Sequence, residues 1–73
     1  AAFHLADGGI LRVGSRGRLV HGDGSPSGLT FEVVVDDATD LPCMAVTDGG
    51  KTARASILGL TMRGWRFAGE ARP

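Results

Sequence analysis

The chain has 73 residues, eight basic and eight acidic side chains, and one cysteine, Cys43. A chain of this length forms one domain, here residues 1–73, and buries only about 60% of the surface that its unfolded form exposes. One cysteine excludes an internal disulfide, and a net charge of zero argues against general affinity for nucleic acid. We therefore expect marginal stability, which self-association or a partner chain would increase.

The predicted elements begin with residues 3–13, FHLADGGILRV, which predict a hairpin that turns at Asp7-Gly8-Gly9. Before them, the sequence shows neither the basic start nor the apolar run of a secretory signal. No apolar stretch approaches the roughly 20 residues of a membrane-spanning helix. With the unpaired cysteine, these features predict a cytoplasmic protein that does not enter a membrane.

The middle of the chain carries the strongest strand signal. Residues 17–22, GRLVHG, predict a short strand, and residues 23–28, DGSPSG, predict a flexible loop. Residues 29–36, LTFEVVVD, alternate at first and are rich in β-branched side chains, which is typical of a central strand. After that strand, Asp37 to Pro42 predict a break, because proline ends a hydrogen-bonded ladder.

A second hairpin is predicted over residues 43–57, with its turn at Asp48-Gly49-Gly50. Residues 53–62 fit either a strand or a short helix, in which Gly59 would cost about 1 kcal/mol relative to alanine. In the strand interpretation, alternation directs one set of side chains to solvent (Thr52, Arg54, Ser56) and the other to the core (Ala53, Ala55, Ile57). Residues 64–71, GWRFAGEA, predict a closing strand with Trp65 and Phe67 on one face.

These elements predict an all-β fold. Twelve glycines and three prolines separate short apolar runs, which is typical of small sandwiches and barrels. The expected architecture is a partly closed barrel or sandwich of five to six strands, with room for one short helical turn.

Residues that could act as catalysts or metal ligands are few. His4, His21 and Cys43 occur in no recognised nucleophile or zinc motif. Aspartates at 36, 37, 40 and 48 lack the alternate spacing around glycine of a calcium loop. The sequence therefore predicts a protein that is not an enzyme and has no metal or cofactor. Catalysis by Cys43 with a histidine remains the alternative, and it requires a reactive thiol.

Two basic segments are candidate binding sites. In RVGSRGRLVHG, Arg12, Arg16 and Arg18 lie among glycines, so the segment fits either a bent connection between strands or an anion site. In MRGWRF, Arg63 and Arg66 alternate with Trp65 and Phe67. Arginine beside exposed aromatic rings suits single-stranded nucleic acid, whereas the same rings fit a small core equally well.

The R-x-x-x-R spacing of Arg12 and Arg16, followed by Asp37-Ala38-Thr39, resembles the PilZ family of β-barrels. That resemblance implies contacts from Arg12, Arg16, Asp37 and Thr39 to a cyclic dinucleotide. Threonine replaces the family's serine and Pro42 replaces its glycine, so we do not assign the chain to this family.

The charges are segregated along the chain. Residues 1–22 carry a net +2, residues 23–50 a net −6 and residues 51–73 a net +4. Such blocks favour a non-enzymatic module that binds a protein partner, or a second copy of itself, through charged faces. The alternative is binding of nucleic acid or a cyclic nucleotide by six residues: Arg12, Arg16, Arg18, Arg63, Trp65 and Arg66.

Overall fold

A computed structural model describes the backbone of residues 2–4 and 9–70 and the side chains of residues 9–69. The described elements are seven strands and one helix: β1 (Ala2–His4), β2 (Ile10–Arg12), β3 (Arg16–Val20), β4 (Pro26–Asp36), β5 (Leu41–Asp48), β6 (Lys51–Ala55), α1 (Ile57–Met62) and β7 (Arg66–Glu70). The predicted all-β class with one short helical turn is confirmed. The turn predicted at Asp7-Gly8-Gly9 falls largely outside the described residues.

The main sheet is antiparallel and five-stranded, in the order β6-β5-β4-β3-β7, and β1 and β2 form a separate two-stranded hairpin. The strand predicted to be central, β4, lies in the middle of the sheet. The sheet is not closed, since β6 and β7 each have a neighbour on one side only among the described strands.

One face of the sheet is covered. Its buried apolar residues pack with Leu11 of β2 and with Ile57 and Leu60 of α1. The covered cluster consists of Leu11, Leu19, Phe31, Val33, Met44, Ile57 and Leu60, against which Leu29, Val46, Ala55, Trp65 and Phe67 pack. Trp65 and Phe67 therefore lie on the same side, as the closing strand predicts.

The ambiguous stretch is a strand up to Ala55 and a helix from Ile57. Ser56 separates them because its Oγ accepts a hydrogen bond from the amide of Gly59 at 3.1 Å, which caps the helix. The helix ends at Met62 with Arg63 as its C-cap, and the next residue, Gly64, has a φ of 91° in the left-handed region. There the amides of Gly64 and Trp65 donate to the carbonyls of Thr61 at 3.0 Å and Leu60 at 3.1 Å, which is a Schellman motif.

The connection from β2 to β3 is a tight turn. The amide of Ser15 donates to the carbonyl of Arg12 at 2.9 Å, and Gly14 between them has a φ of 96°. Ser15 is fully buried, and its Oγ accepts from the amide of Arg12 at 3.1 Å. The segment RVGS is therefore a glycine-bent connection, which is one of the two interpretations of its sequence.

Two predictions about proline are wrong. Pro26 was expected in a loop but begins β4, and Pro42 was expected to end the ladder but lies inside β5, opposite Val35. The pairing of β5 with β6 extends only to Met44 and Ala55. No described strand therefore lies beside Pro42 on that side, and its missing amide costs no ladder bond there.

Ala53 is also exposed, not buried, although it lies on the same face as Val46. It belongs to an edge strand that the covering helix and hairpin do not reach. The neighbouring predictions hold, since Thr52, Arg54 and Ser56 are exposed while Ala55 and Ile57 pack against the core.

Candidate binding face of the sheet

No described element covers the opposite face of the sheet, and the composition of this face follows from the strand register. Residues paired across antiparallel strands point to the same side, so the register assigns every second side chain to this face. We call it the open face; it carries Arg16, Arg18, Val20, Thr30, Glu32, Val34, Cys43, Ala45, Thr47, Thr52, Arg54, Arg66 and Ala68.

Two rows of side chains cross the open face. In the first row, Arg54, Ala45, Glu32 and Arg16 are successive partners from β6 to β3. In the second, Thr52, Thr47, Thr30 and Arg18 are partners in the same order. Arg66 follows on β7, opposite Val20. The register thus brings arginines from three strands onto one surface, although they are far apart in the sequence.

Only one of these arginines forms an ion pair with a described side chain. Arg16 Nη2 lies 3.7 Å from Glu32 Oε2, and the two side chains are 76% and 43% exposed. A pair this exposed contributes little to stability. It joins the basic first segment to the acidic middle of the chain.

Arg54 lies across the neighbouring strand. Its Nη1 donates to the carbonyl of Val35 on β4 at 3.3 Å, so the side chain spans β5. Arg54 starts beside Ala45, and Val35 is opposite Pro42, so the side chain passes over the part of β5 that carries Cys43. Cys43 is 8% exposed on this face.

A shallow groove of about 420 Å³ follows the two rows between β3 and β6. Its walls include Arg16, Glu32 and Thr30 on one side and Thr47 and Thr52 on the other. The hydroxyls of Thr47 and Thr52 are hydrogen-bonded to each other at 2.9 Å. The lining of the groove therefore combines threonine hydroxyls with the charged groups of Arg16 and Glu32.

The other candidate residues lie away from the open face. Arg12 is exposed on β2, and Arg63 is exposed at the end of α1. Trp65 is half-buried against the core, where its ring stacks on His21 with the centroids 4.8 Å apart. Of the six residues predicted as a site, the structure brings together Arg16, Arg18 and Arg66.

Arg54 and the threonine row are parts of this surface that sequence reasoning missed. Alternation along β6 indicates that Arg54 points to solvent. It does not indicate that Arg54 shares a face with Arg16, because that depends on the pairing of four strands.

Two of the residues considered for catalysis, Cys43 and His21, lie on different sides of the sheet. Cys43 lies on the open face, whereas His21 stacks on Trp65 at the other side of the sheet. In the described part of the chain, no three His, Cys, Asp or Glu side chains are placed to hold a metal ion. Likewise, none of its helices is long and apolar enough to cross a membrane.

Comparison with protein-family models, with curated proteins and with solved structures finds no match. The candidate site of this chain is therefore the open face.

Proposed function

We propose that the protein is a non-enzymatic binding module whose open face binds an acidic surface of a protein partner. The observation that carries the proposal is the register that places Arg16, Arg18, Arg54 and Arg66 together on an uncovered face. Arg18 and Arg66 are exposed, and their side chains have no hydrogen-bond or ion-pair partner among the described residues. Their charges are available to carboxylates from outside.

The composition of the face favours a protein over nucleic acid. Single-stranded nucleic acid is held by charge together with aromatic rings on which bases stack. The described open face carries no aromatic side chain, because Phe31, Trp65 and Phe67 all pack against the core. Glu32 also lies between Arg16 and Arg54, where it would repel a phosphate backbone but could pair with a lysine or arginine of a protein.

A second copy of the chain is one source of such an acidic surface. Asp36 ends β4, and the turn that follows carries Asp37 and Asp40, which are exposed. Contact between this turn and the open face of another copy would produce salt-sensitive self-association. Sedimentation at low and high salt distinguishes this case from binding of a different protein.

The test compares two double variants that remove the same charge. Arg18→Gln with Arg66→Gln removes the unpaired cations of the open face, whereas Arg12→Gln with Arg63→Gln removes two exposed cations elsewhere. The probe is poly-L-glutamate, and binding is followed by calorimetry at low salt. We expect the first variant to weaken binding about ten-fold and the second to change it little.

Equal losses in the two variants would show that binding follows net charge alone and would overturn the proposal. A thymidine oligonucleotide of similar length is the comparison probe. Tighter binding of the oligonucleotide, lost in the Arg18/Arg66 variant, would instead favour the nucleic-acid alternative.

A further inference from the structure

A notch opens at one end of the open face, where the pairing of β3 with β4 is irregular. Leu19 is opposite Leu29, but the next residue, Val20, is opposite Pro26. Ser27 and Gly28 are therefore extra residues in β4, and Gly28 adopts a φ of 79° that favours glycine. The bulge separates the two strands and leaves a notch of about 340 Å³.

The hydroxyl of Ser27, in the bulge, is hydrogen-bonded to backbone groups of both strands. The hydroxyl of Ser27 donates to the carbonyl of Leu19 and accepts from the amide of Leu29 at 3.0 Å. In the lining of the notch, Val20 lies on the open face and Pro26 is its partner across the strands, so these two residues give the notch an apolar wall. Val20 is half-buried and Pro26 is exposed, so both retain surface that a ligand can cover.

Cationic side chains border the notch. Arg18 lies in its lining, and Arg66 is the β7 partner of Val20. As described above, neither guanidinium has a partner among the described residues. An apolar recess beside two unpaired arginines is complementary to a ligand that is aliphatic at its centre and anionic on either side.

We infer that the notch holds an aliphatic side chain of an extended acidic segment from the partner protein, flanked by carboxylates that reach Arg18 and Arg66. This inference rests on the proposed function, and it adds the position and sequence character of the anchor. A volume of about 340 Å³ is at the lower end of ligand pockets. That size suits one side chain and its adjoining backbone better than a larger molecule.

The first experiment uses two synthetic peptides and the unaltered protein. Acetyl-Glu-Glu-Leu-Glu-Glu-amide and the same peptide with glycine in place of leucine have equal charge and length. Binding is followed by amide NMR shifts during titration at low salt. We expect the leucine peptide to bind about ten-fold more tightly, because one leucine side chain leaves water. Its shifts should be centred on residues 18–20 and 26–30.

A second experiment alters the wall of the notch. Val20→Thr keeps the shape of the side chain but makes the wall polar, and Val34→Thr makes the same change on the open face outside the notch. Both residues are half-buried on this face, so the two variants have a similar effect on the fold. We expect Val20→Thr to reduce the preference for the leucine peptide several-fold and Val34→Thr to preserve it.

The outcomes separate this inference from the proposed function. Equal affinity for the two peptides, with loss of both in the Arg18/Arg66 variant, would overturn the notch as an anchor and leave the acidic-partner proposal standing. A leucine preference that Val20→Thr and Val34→Thr reduce equally would also overturn it. If neither peptide nor poly-L-glutamate binds, both proposals fail.

Discussion

The ring of Trp65 stacks on the ring of His21, with the centroids 4.8 Å apart and the planes at 30°. This contact lies on the core side of the sheet, so Trp65 and the adjacent Arg66 point to opposite sides. The motif MRGWRF is therefore mainly a helix ending: Arg63 caps α1, Gly64 provides the left-handed residue, and Trp65 returns the chain to the core. Its basic and aromatic residues do not form one surface.

His21→Ala should remove this stacked contact and expose the indole. We expect a red shift of Trp65 fluorescence and a loss of about 1 kcal/mol in the free energy of unfolding. His21 is exposed while Trp65 is half-buried, so the backbone should not be affected. Since the chain has one tryptophan, steady-state emission and urea denaturation test both points. An unchanged emission maximum would contradict the stacking.

Gly17→Ala should be among the most destabilising substitutions in the protein. A Cβ at position 17 would lie 2.2 Å from the carbonyl oxygen of Ala68 and 3.0 Å from the ring of Phe31. Neither the backbone of β7 nor a buried ring can move freely, so we expect a loss of about 3 kcal/mol or more. Gly50→Ala is the control, because no atom lies within 4 Å of its added Cβ. Thermal denaturation should show a large loss for the first variant and almost none for the second.

Alanine substitution of Gly59, inside the helix, and of Gly64, just after it, should change the free energy of unfolding in opposite directions. Gly59 lies inside α1, and an added Cβ would meet Ser56 Cβ at an ordinary distance of 3.5 Å. Gly59→Ala should therefore stabilise the protein by about 0.5–1 kcal/mol. Gly64→Ala should destabilise it by about 1 kcal/mol, because position 64 requires a φ of 91°. Chemical denaturation measures both, and the same sign for both variants would be inconsistent with the helix ending described.

Local sequence patterns predict most of the strands. The predictions are wrong where the conformation or position of a residue depends on a neighbouring strand. β4 could be found from its β-branched alternation, and Gly14 from the turn that it permits. Pro42 was placed incorrectly because its acceptability depends on how far β6 extends along β5. Similarly, Arg16, Arg18 and Arg66 share a face only through the pairing of β3 with β7, which the sequence does not reveal. Arg54 joins them through three further strand pairings, which no local signal reveals.

The turn after β3 should contribute to the acid sensitivity of the protein. The carboxylate of Asp23 accepts hydrogen bonds from the hydroxyl of Ser25 at 2.7 Å and from its amide at 2.9 Å. These bonds, with a smaller contribution from nearby His21, lower the pKa of Asp23 below its ordinary value of 3.8. Because the folded pKa is the lower one, this stabilisation is present above the ordinary value and is lost as the pH falls through the folded pKa.

The corresponding experiment follows the Asp23 carboxyl by carbon NMR during an acid titration. Ser25→Ala removes the hydroxyl donor, which is the larger cause of the shift, and should raise the pKa of Asp23 towards its ordinary value. The stability difference between the two proteins should also shrink at acid pH. An unaltered Asp23 titration in Ser25→Ala would contradict the role of this hydroxyl.

Arg54 should protect Cys43 from reagents in solution. Its side chain crosses β5 to reach the carbonyl of Val35 at 3.3 Å, over a thiol that is 8% exposed. Arg54→Ala should remove this cover and increase the rate of Cys43 alkylation by iodoacetamide several-fold, with slow labelling in the unaltered protein. Arg16→Ala is the control, since Arg16 lies on β3, two strands away from β5, and is paired with Glu32.

Rapid labelling of Cys43 in the unaltered protein would indicate a reactive thiol and would support the catalytic alternative. Equal rates in all three proteins, measured by mass spectrometry, would show that the backbone and not Arg54 shields the sulfur.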